Sequence, residues 1–286
     1  MRRFLLLAAP VLAAAVVAAP SVSFAAKPAK VAARVVVDPA LAPILADARR
    51  DADRARDQYR HPAETLAFFQ VKPGMTVVDY MPSGGWWTRV LVPYLGTQGR
   101  YIGLNPDVRN QNEGWRNNMG NTAATFPAKA AGWTGVSADR IVGYNTDVLP
   151  DSLKGQVDRV LIFREMHNLW RAGLLRGELL AVRSLLKPDG LLGIEQHRAR
   201  ANASADYTDG SKGYLRERDV IALVEAHGFE LVAKSEINAN PKDPANHKDG
   251  VWTLPPNLRG ATDATRPALQ AIGESDRMTL LFRKRP

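Results

Sequence analysis

The chain has 286 residues, enough for one large domain or two small ones around a substantial core. It contains no cysteine, which excludes disulfides, a thiolate nucleophile, an iron–sulfur cluster and any cysteine-based zinc site. The formal net charge is +9, with Lys and Arg scattered and no basic helix face. A basic balance can attract nucleic acid, but the export signal at the amino terminus argues against that partner.

The chain opens with Arg2 and Arg3, an apolar run over residues 4–19, and Ser23-Phe24-Ala25, which fits a small-x-small cleavage site. Residues 1–25 therefore read as a cleavable signal peptide. The apolar run is short for a bilayer span and Pro10 interrupts it, so no stable membrane insertion is expected after cleavage. The mature chain, of charge about +7, is expected to be periplasmic or secreted. Residues 26–56 form an amino-terminal lead-in that becomes helical from Pro39 and increasingly charged. A helix restarts at His61-Pro62-Ala63-Glu64, where Pro62 suits the first helical position and Glu64 the first turn.

The stretch Met75 to Leu95 follows as strand, turn and helix. Thr76-Val77-Val78 is β-preferring and ends on Asp79, Pro82-Ser83-Gly84-Gly85 is turn-rich, and Trp86, Val90, Leu91 and Tyr94 form an apolar stripe. A helix start behind a glycine turn is a ready ligand site in an open α/β sheet, with a plain βα connection as the alternative. Further strands are expected at Arg100–Leu104, Arg140–Tyr144, Val157–Phe163, Leu191–Glu195, Phe229–Ile237 and Met278–Arg283. Helices are expected over Trp170–Leu186 and Tyr214–His227, with Lys187-Pro188-Asp189-Gly190 as a stop-and-turn. This alternation predicts one parallel-sheet α/β domain over residues 57–286. The polar insertion over residues 238–273 is long enough to be a lid.

Two strand exits carry candidate chemistry. Glu165 and His167 lie two apart after the fourth strand, so both can face a crevice at the sheet's carboxyl edge. His167 is the candidate general base and Arg164 or Asn168 would orient an acceptor. The plain alternative pairs Glu165 with Arg164 or Arg171 and makes His167 a helix cap. Glu195 and His197 repeat the spacing, with a solvated strand end as the alternative. His61 is a helix-start residue that also lies near enough in sequence to serve a lid. Trp86 and Trp87 can present an aromatic face to a cationic ligand. No ligand spacing of the HxxxH kind exists, so no metal is expected. The absence of GxxxxGK, GxSxG and GxGxxG argues against an NTPase, an α/β-hydrolase and a nicotinamide dehydrogenase.

The order of these pieces resembles class I S-adenosylmethionine-dependent methyltransferases, and within them an exported branch of predicted methyltransferases. VVDYMPSGGWWTRVLVPYL, NTDVLP, LIFREMHN and LLKPDGLLGIEQH carry the likeness, and with RHPAETLAFF, GVWTLPPNL and AIGESDRMTLLF it spans roughly residues 57 to 284. The resemblance implies a doubly wound, seven-stranded, mostly parallel Rossmann-like sheet with an antiparallel last strand. It implies S-adenosyl-L-methionine as cofactor and an unidentified small-molecule acceptor. By resemblance Asp79, Pro82, Ser83, Gly84, Gly85 and Trp86 hold the methionine part and ribose, and Asn105 to Asp107 meet the ribose hydroxyls. Asn145, Thr146 and Asp147 would face the adenine. The exit Phe163 to Asn168 would face the transferred methyl and the acceptor, with Phe163 and Arg164 at the cofactor, Glu165 and His167 at the chemistry and Asn168 at the acceptor. His61 and His197 are acceptor candidates from their own positions in the chain. Two departures stand out. The family pattern has glycines at the second, fourth and sixth positions after the acid, which here are Met81, Ser83 and Gly85. The second strand ends on Asn105 where an acid is usual, and an amide lacks a carboxylate's charge-assisted strength toward a hydroxyl. An alternative function is an inactive exported ligand-binding protein that keeps this fold, since the cofactor is made in the cytoplasm.

Overall fold

The composition of Val157–Phe163 predicts a strand buried on both faces, and the computed structural model shows that arrangement across the sheet. It describes residues 30–31 and 35–286; the expected signal peptide lies outside them. Eight strands form one sheet: β1 (Lys30–Val31), β2 (Thr76–Tyr80), β3 (Arg100–Asn105), β4 (Ile141–Asn145), β5 (Val157–Phe163), β6 (Leu186–His197), β7 (Phe229–Ser235) and β8 (Arg277–Lys284). Their order is β1-β7-β8-β6-β5-β2-β3-β4. Every pairing is parallel except those of β8, which runs antiparallel to both β6 and β7. Seven strands are those expected, and β1 is a two-residue addition at the edge.

Side chains alternate between two cores because the strand period is two. Val78, Tyr80, Ile102, Val160, Ile162 and Leu280 face one side, against Leu169, Leu179, Val182, Val220 and Val224 of covering helices. Val77, Tyr101, Leu161, Phe163 and Leu281 face the other, against Leu66, Phe69, Val90, Leu91 and Phe126. With both faces buried, each Val, Leu, Ile or Phe contributes about 1.5–3 kcal/mol, which is why these runs become central strands.

Several expected boundaries are corrected. Residues 39–60 do not form a continuous helix but short turns at Leu41–Leu45, Asp51–Arg54 and Asp57–Arg60. The expected helix Trp170–Leu186 is two helices, Met166–Arg171 and Leu175–Leu185, broken where Gly173 adopts φ 70°. Lys187 to Gly190 is not a reversal. These residues run on within β6, with a register shift against β5 between Val157 and Arg159. Gly190 is needed there for close approach, since a Cβ would sit 2.8 Å from the Val157 carbonyl oxygen. The expected helix Tyr214–His227 begins only at Glu217, because Leu215 is held in a bridge to Arg198.

The insertion after β7 is pinned where it begins. Asn238 donates through Nδ2 to Thr65 Oγ1 (3.0 Å) and Thr279 Oγ1 (3.1 Å), and Asp243 accepts from Tyr214 Oη (2.9 Å). Beyond it, Trp252, Pro255 and Pro256 reach over the carboxyl edge of the sheet beside Arg164 and His197. Chain order reverses between β2 and β5, since β2 pairs with β3 on one side and with β5 on the other. Two diverging strands leave a crevice at such a switch point, and the candidate site lies there.

Candidate functional site

The β2 and β5 exits build the wall of a cavity of about 240 Å³. Of the expected residues, Asp79, Pro82, Ser83, Gly84, Trp86, Phe163, Arg164 and Glu165 line it together. The backbone after Asp79 keeps the shape that the glycine pattern demands although two of its glycines are absent. Met81, Ser83 and Gly85 have φ of 53°, 50° and 74°. Left-handed backbone at a non-glycine residue costs about 1–2 kcal/mol, and such strain persists where the surroundings over-determine it. Arg164, across the cavity, is also left-handed at φ 63°. Gly85 cannot be replaced so readily. A Cβ there would lie 2.2 Å from the Trp133 ring. Gly85→Ala is therefore expected to cost about 2–4 kcal/mol, from overpacking plus the φ penalty, read as a lower urea midpoint.

Asp79 is buried, accepts 2.8 Å from Tyr101 Oη, and is pushed up to about 7 by burial. Glu165 accepts from Asn168 Nδ2 at 2.7 Å and lies 3.4 Å from Ser83 Oγ; burial also raises it to about 7. Asn168 thus serves Glu165, and neither it nor His61 lines the cavity. His61 instead places Nδ1 3.3 Å from Asn238 Oδ1, which ties the helix start to the insertion.

His167 is not brought to this cavity. It is buried on the helix Met166–Arg171, with Nδ1 3.4 Å from Gln196 Nε2 and its ring near Trp252, and burial lowers it to about 4. It caps nothing through its side chain either: the helix's amino-terminal cap is Glu165, which makes no capping hydrogen bond. Glu195 is not a solvated strand end. It is fully buried against Arg277, whose Nη1 donates to Oε1 at 2.8 Å. His197 faces a neighbouring cavity.

The aromatic faces are used internally. Trp87 stacks on Phe163 with centroids 4.0 Å apart. Trp86 carries the guanidinium of Arg60 at 4.5 Å and that of Arg50 at 5.0 Å. Past the turn, Pro82 and Ser83 also border a second cavity of about 320 Å³ lined by Asn105, Phe126, Lys129 and Trp133. Asn145 is fully engaged as a clamp, donating to the Pro106 and Met119 carbonyls and accepting from Thr122 N. Asp147 pairs with Arg109 at 3.3 Å, on the rim of a further cavity.

Sequence reasoning missed the fourth side of the main cavity. Asp53, Arg56, Arg60 and Arg89 line it. Asp53 and Arg89 neutralise each other at 2.5 Å. Arg60 does not find full pairing. Its Nε lies 3.3 Å from Glu274 Oε2, and its buried Nη1 has no hydrogen-bond partner among the described residues. Burial and the nearby Arg164 push its pKa well down, which marks an undercompensated cation. The available signal was the four-residue spacing of Arg56 and Arg60 just before Pro62, hidden in a stretch that reads as a solvated helix.

A parallel sheet with this order and a single antiparallel strand, carrying its cavity at the β2–β5 switch point, defines the class I methyltransferase fold. The comparison with solved structures agrees. The complex between the Haloferax volcanii Trm112 methyltransferase activator and a protein assigned as a methyltransferase matches at TM-score 0.50 and 17% identity, over 85% of this chain and 97% of that one. A SAM-dependent methyltransferase from Aquifex aeolicus (TM-score 0.42, 19% identity, 63% and 85% covered) is more distant. So is the Burkholderia thailandensis 1,6-didemethyltoxoflavin-N1-methyltransferase solved with S-adenosylhomocysteine (0.45, 15%, 83% and 82%). At these identities the likeness is one of fold. No protein-family model and no curated protein matches the sequence.

Proposed function

We propose that this chain is an S-adenosylmethionine-dependent methyltransferase acting on a small-molecule acceptor. The observation that carries the reading is the opposition of charges in the 240 Å³ cavity. Asp79 and Glu165 stand on one side and the incompletely partnered Arg60 on another. Buried charges of both signs suit a ligand that is itself a zwitterion, because an unpaired buried charge is costly. The methionine end of the cofactor is such a ligand: its ammonium fits the carboxyls and its carboxylate the guanidinium. The cavity bordered by Asn105 and Trp133 across Pro82-Ser83 then suits the nucleoside half. The cofactor supplies an electrophilic methyl group on a sulfonium. The protein's part is to align it and exclude water, and proximity contributes much of the acceleration. The amino-terminal pattern of residues 1–25 supports action outside the cytoplasm.

The test is ligand binding as a function of pH. Asp79 and Glu165 are raised to about 7 in the free protein, and an ammonium prefers them ionised. Affinity for S-adenosylhomocysteine should therefore rise between pH 6 and 8, by about tenfold for each carboxyl that must lose its proton. Calorimetry measures this directly, and Asp79→Asn should flatten the slope. Affinity that falls with rising pH, or no binding at all, would remove the basis of the proposal.

A further inference from the structure

Next to the main cavity lies another, of about 230 Å³, and the two share Arg56 and Arg164. Its remaining wall includes His197 and Ser275 on the sheet side and Trp252, Pro255 and Pro256 from the insertion. Arg56 is already paired with Glu274, which Arg277 also contacts at 3.0 Å. Arg164 is not comparably satisfied. Among the described residues its ion contact is at 3.4 Å, to the Glu195 oxygen that already accepts from Arg277 at 2.8 Å. Its side chain is 19% exposed where that of Arg277 is 1% exposed. His197 adds no second positive charge: its Nδ1 is 2.6 Å from Ser275 Oγ, and burial together with the neighbouring His167, Arg277 and Arg164 keeps the ring neutral. Glu274 also lines the cavity, but its carboxylate is taken up by Arg56, Arg60 and Arg277. Among the described residues Arg164 is therefore the lining guanidinium without a close partner, in a wall that also holds the Trp252 indole. Arg259 stands 5.2 Å from the Trp252 ring, and His167 meets that ring edge-on at 5.9 Å, so Trp252 is braced from two sides.

We propose that this second cavity is the acceptor subsite, and that it takes a small planar acceptor bearing one carboxylate or similar oxyanion. The anion would lie on Arg164 and the ring against Trp252. A cavity of about 150 Å³ holds benzene, so 230 Å³ suits one substituted ring or a compact two-ring system. This assignment rests on the neighbouring cavity being the methyl-donor site. It also gives the insertion a function that cover alone does not, since Trp252 sets the substrate's shape and Arg164 its charge.

The experiment titrates the full chain with 4-hydroxybenzoate and with its neutral counterpart 4-hydroxybenzamide, each with and without S-adenosylhomocysteine, by calorimetry. The acid should bind at least about tenfold more tightly than the amide, the range for a charge-assisted hydrogen bond. Arg164→Gln should abolish that preference. Trp252→Ala should weaken both probes while leaving S-adenosylhomocysteine binding unchanged, which also shows that this variant is folded. Equal binding of acid and amide, acid binding untouched in both variants, or no binding of the acid would overturn the proposal. Acid binding by a chain that does not bind S-adenosylhomocysteine would overturn the donor reading and, with it, the assignment as an acceptor subsite. Loss of the acid preference alone, with S-adenosylhomocysteine still bound, would sink only the acceptor assignment.

Discussion

Arg277→Ala is expected to lower the unfolding free energy by about 3–5 kcal/mol, the range for breaking a buried ion pair from one side. Arg277 is 1% exposed at its side chain and serves four oxygens. It donates to Glu195 Oε1 at 2.8 Å, Glu274 Oε2 at 3.0 Å, the Tyr59 carbonyl at 3.0 Å and the Ser275 carbonyl at 3.2 Å. These contacts tie β8 to β6 and to the short helix Asp57–Arg60. Without it, Glu195 keeps only the 3.4 Å contact with Arg164, and a buried carboxylate is left exposed to a low dielectric. The loss should also shrink as pH falls. Glu274 is held down to about 2 and Glu195 below its usual value by the surrounding guanidiniums. A depressed carboxyl stabilises the fold above its unfolded pKa and ceases to do so as pH falls through the folded value. Urea denaturation of the wild type and the variant at pH 7 measures the difference; a loss below about 1 kcal/mol would show that the network is not structural.

Arg60→Met is expected to do the reverse, with little change in stability and about a ten- to hundredfold loss of affinity for S-adenosylhomocysteine. Arg60 contacts Glu274 at 3.3 Å, whereas Arg56 and Arg277 already satisfy that carboxylate. Removing a cation that Arg164 and Arg277 repel, and whose Nη1 is unpartnered among the described residues, relieves as much as it takes away. Methionine retains an apolar stem against the Trp86 ring, which now sees the guanidinium at 4.5 Å. The contrast between the two arginines is the point. Arg277 is fully engaged by the protein, whereas Arg60 is incompletely paired among the described residues. Calorimetry with S-adenosylhomocysteine, alongside a denaturation curve, separates them; unchanged affinity in Arg60→Met would mean that the carboxylate of the ligand lies elsewhere.

Much of the site could be read from local pattern. Asp79, the Pro82-Ser83-Gly84 turn and Phe163 to Glu165 are consecutive residues at strand exits, and a strand exit can be found by its hydrophobic period. The positions of Met81 and Ser83 were legible as departures from a glycine pattern. That the backbone stays left-handed at both was not, because φ there is enforced by the surrounding turn and the β5 exit. The roles of His167 and Glu195 could not be read at all. Alternation places both near the crevice, but one buries its ring beside Gln196 and Trp252 and the other neutralises Arg277. Those partners lie 29 to 85 residues away in the chain.

By itself the sequence determined the seven strands β2 to β8 and their alternation with helices, because periodic burial is a local property of each segment. The helix breaks and the switch point came from strand pairing and packing. Only the tertiary structure decided which charges meet. Arg60, Arg164 and Arg277 look alike in sequence, and electrostatic pairing depends on distances across the fold. Folding spends Arg277 on Glu195 and Glu274, and leaves Arg60 and Arg164 incompletely matched beside two cavities.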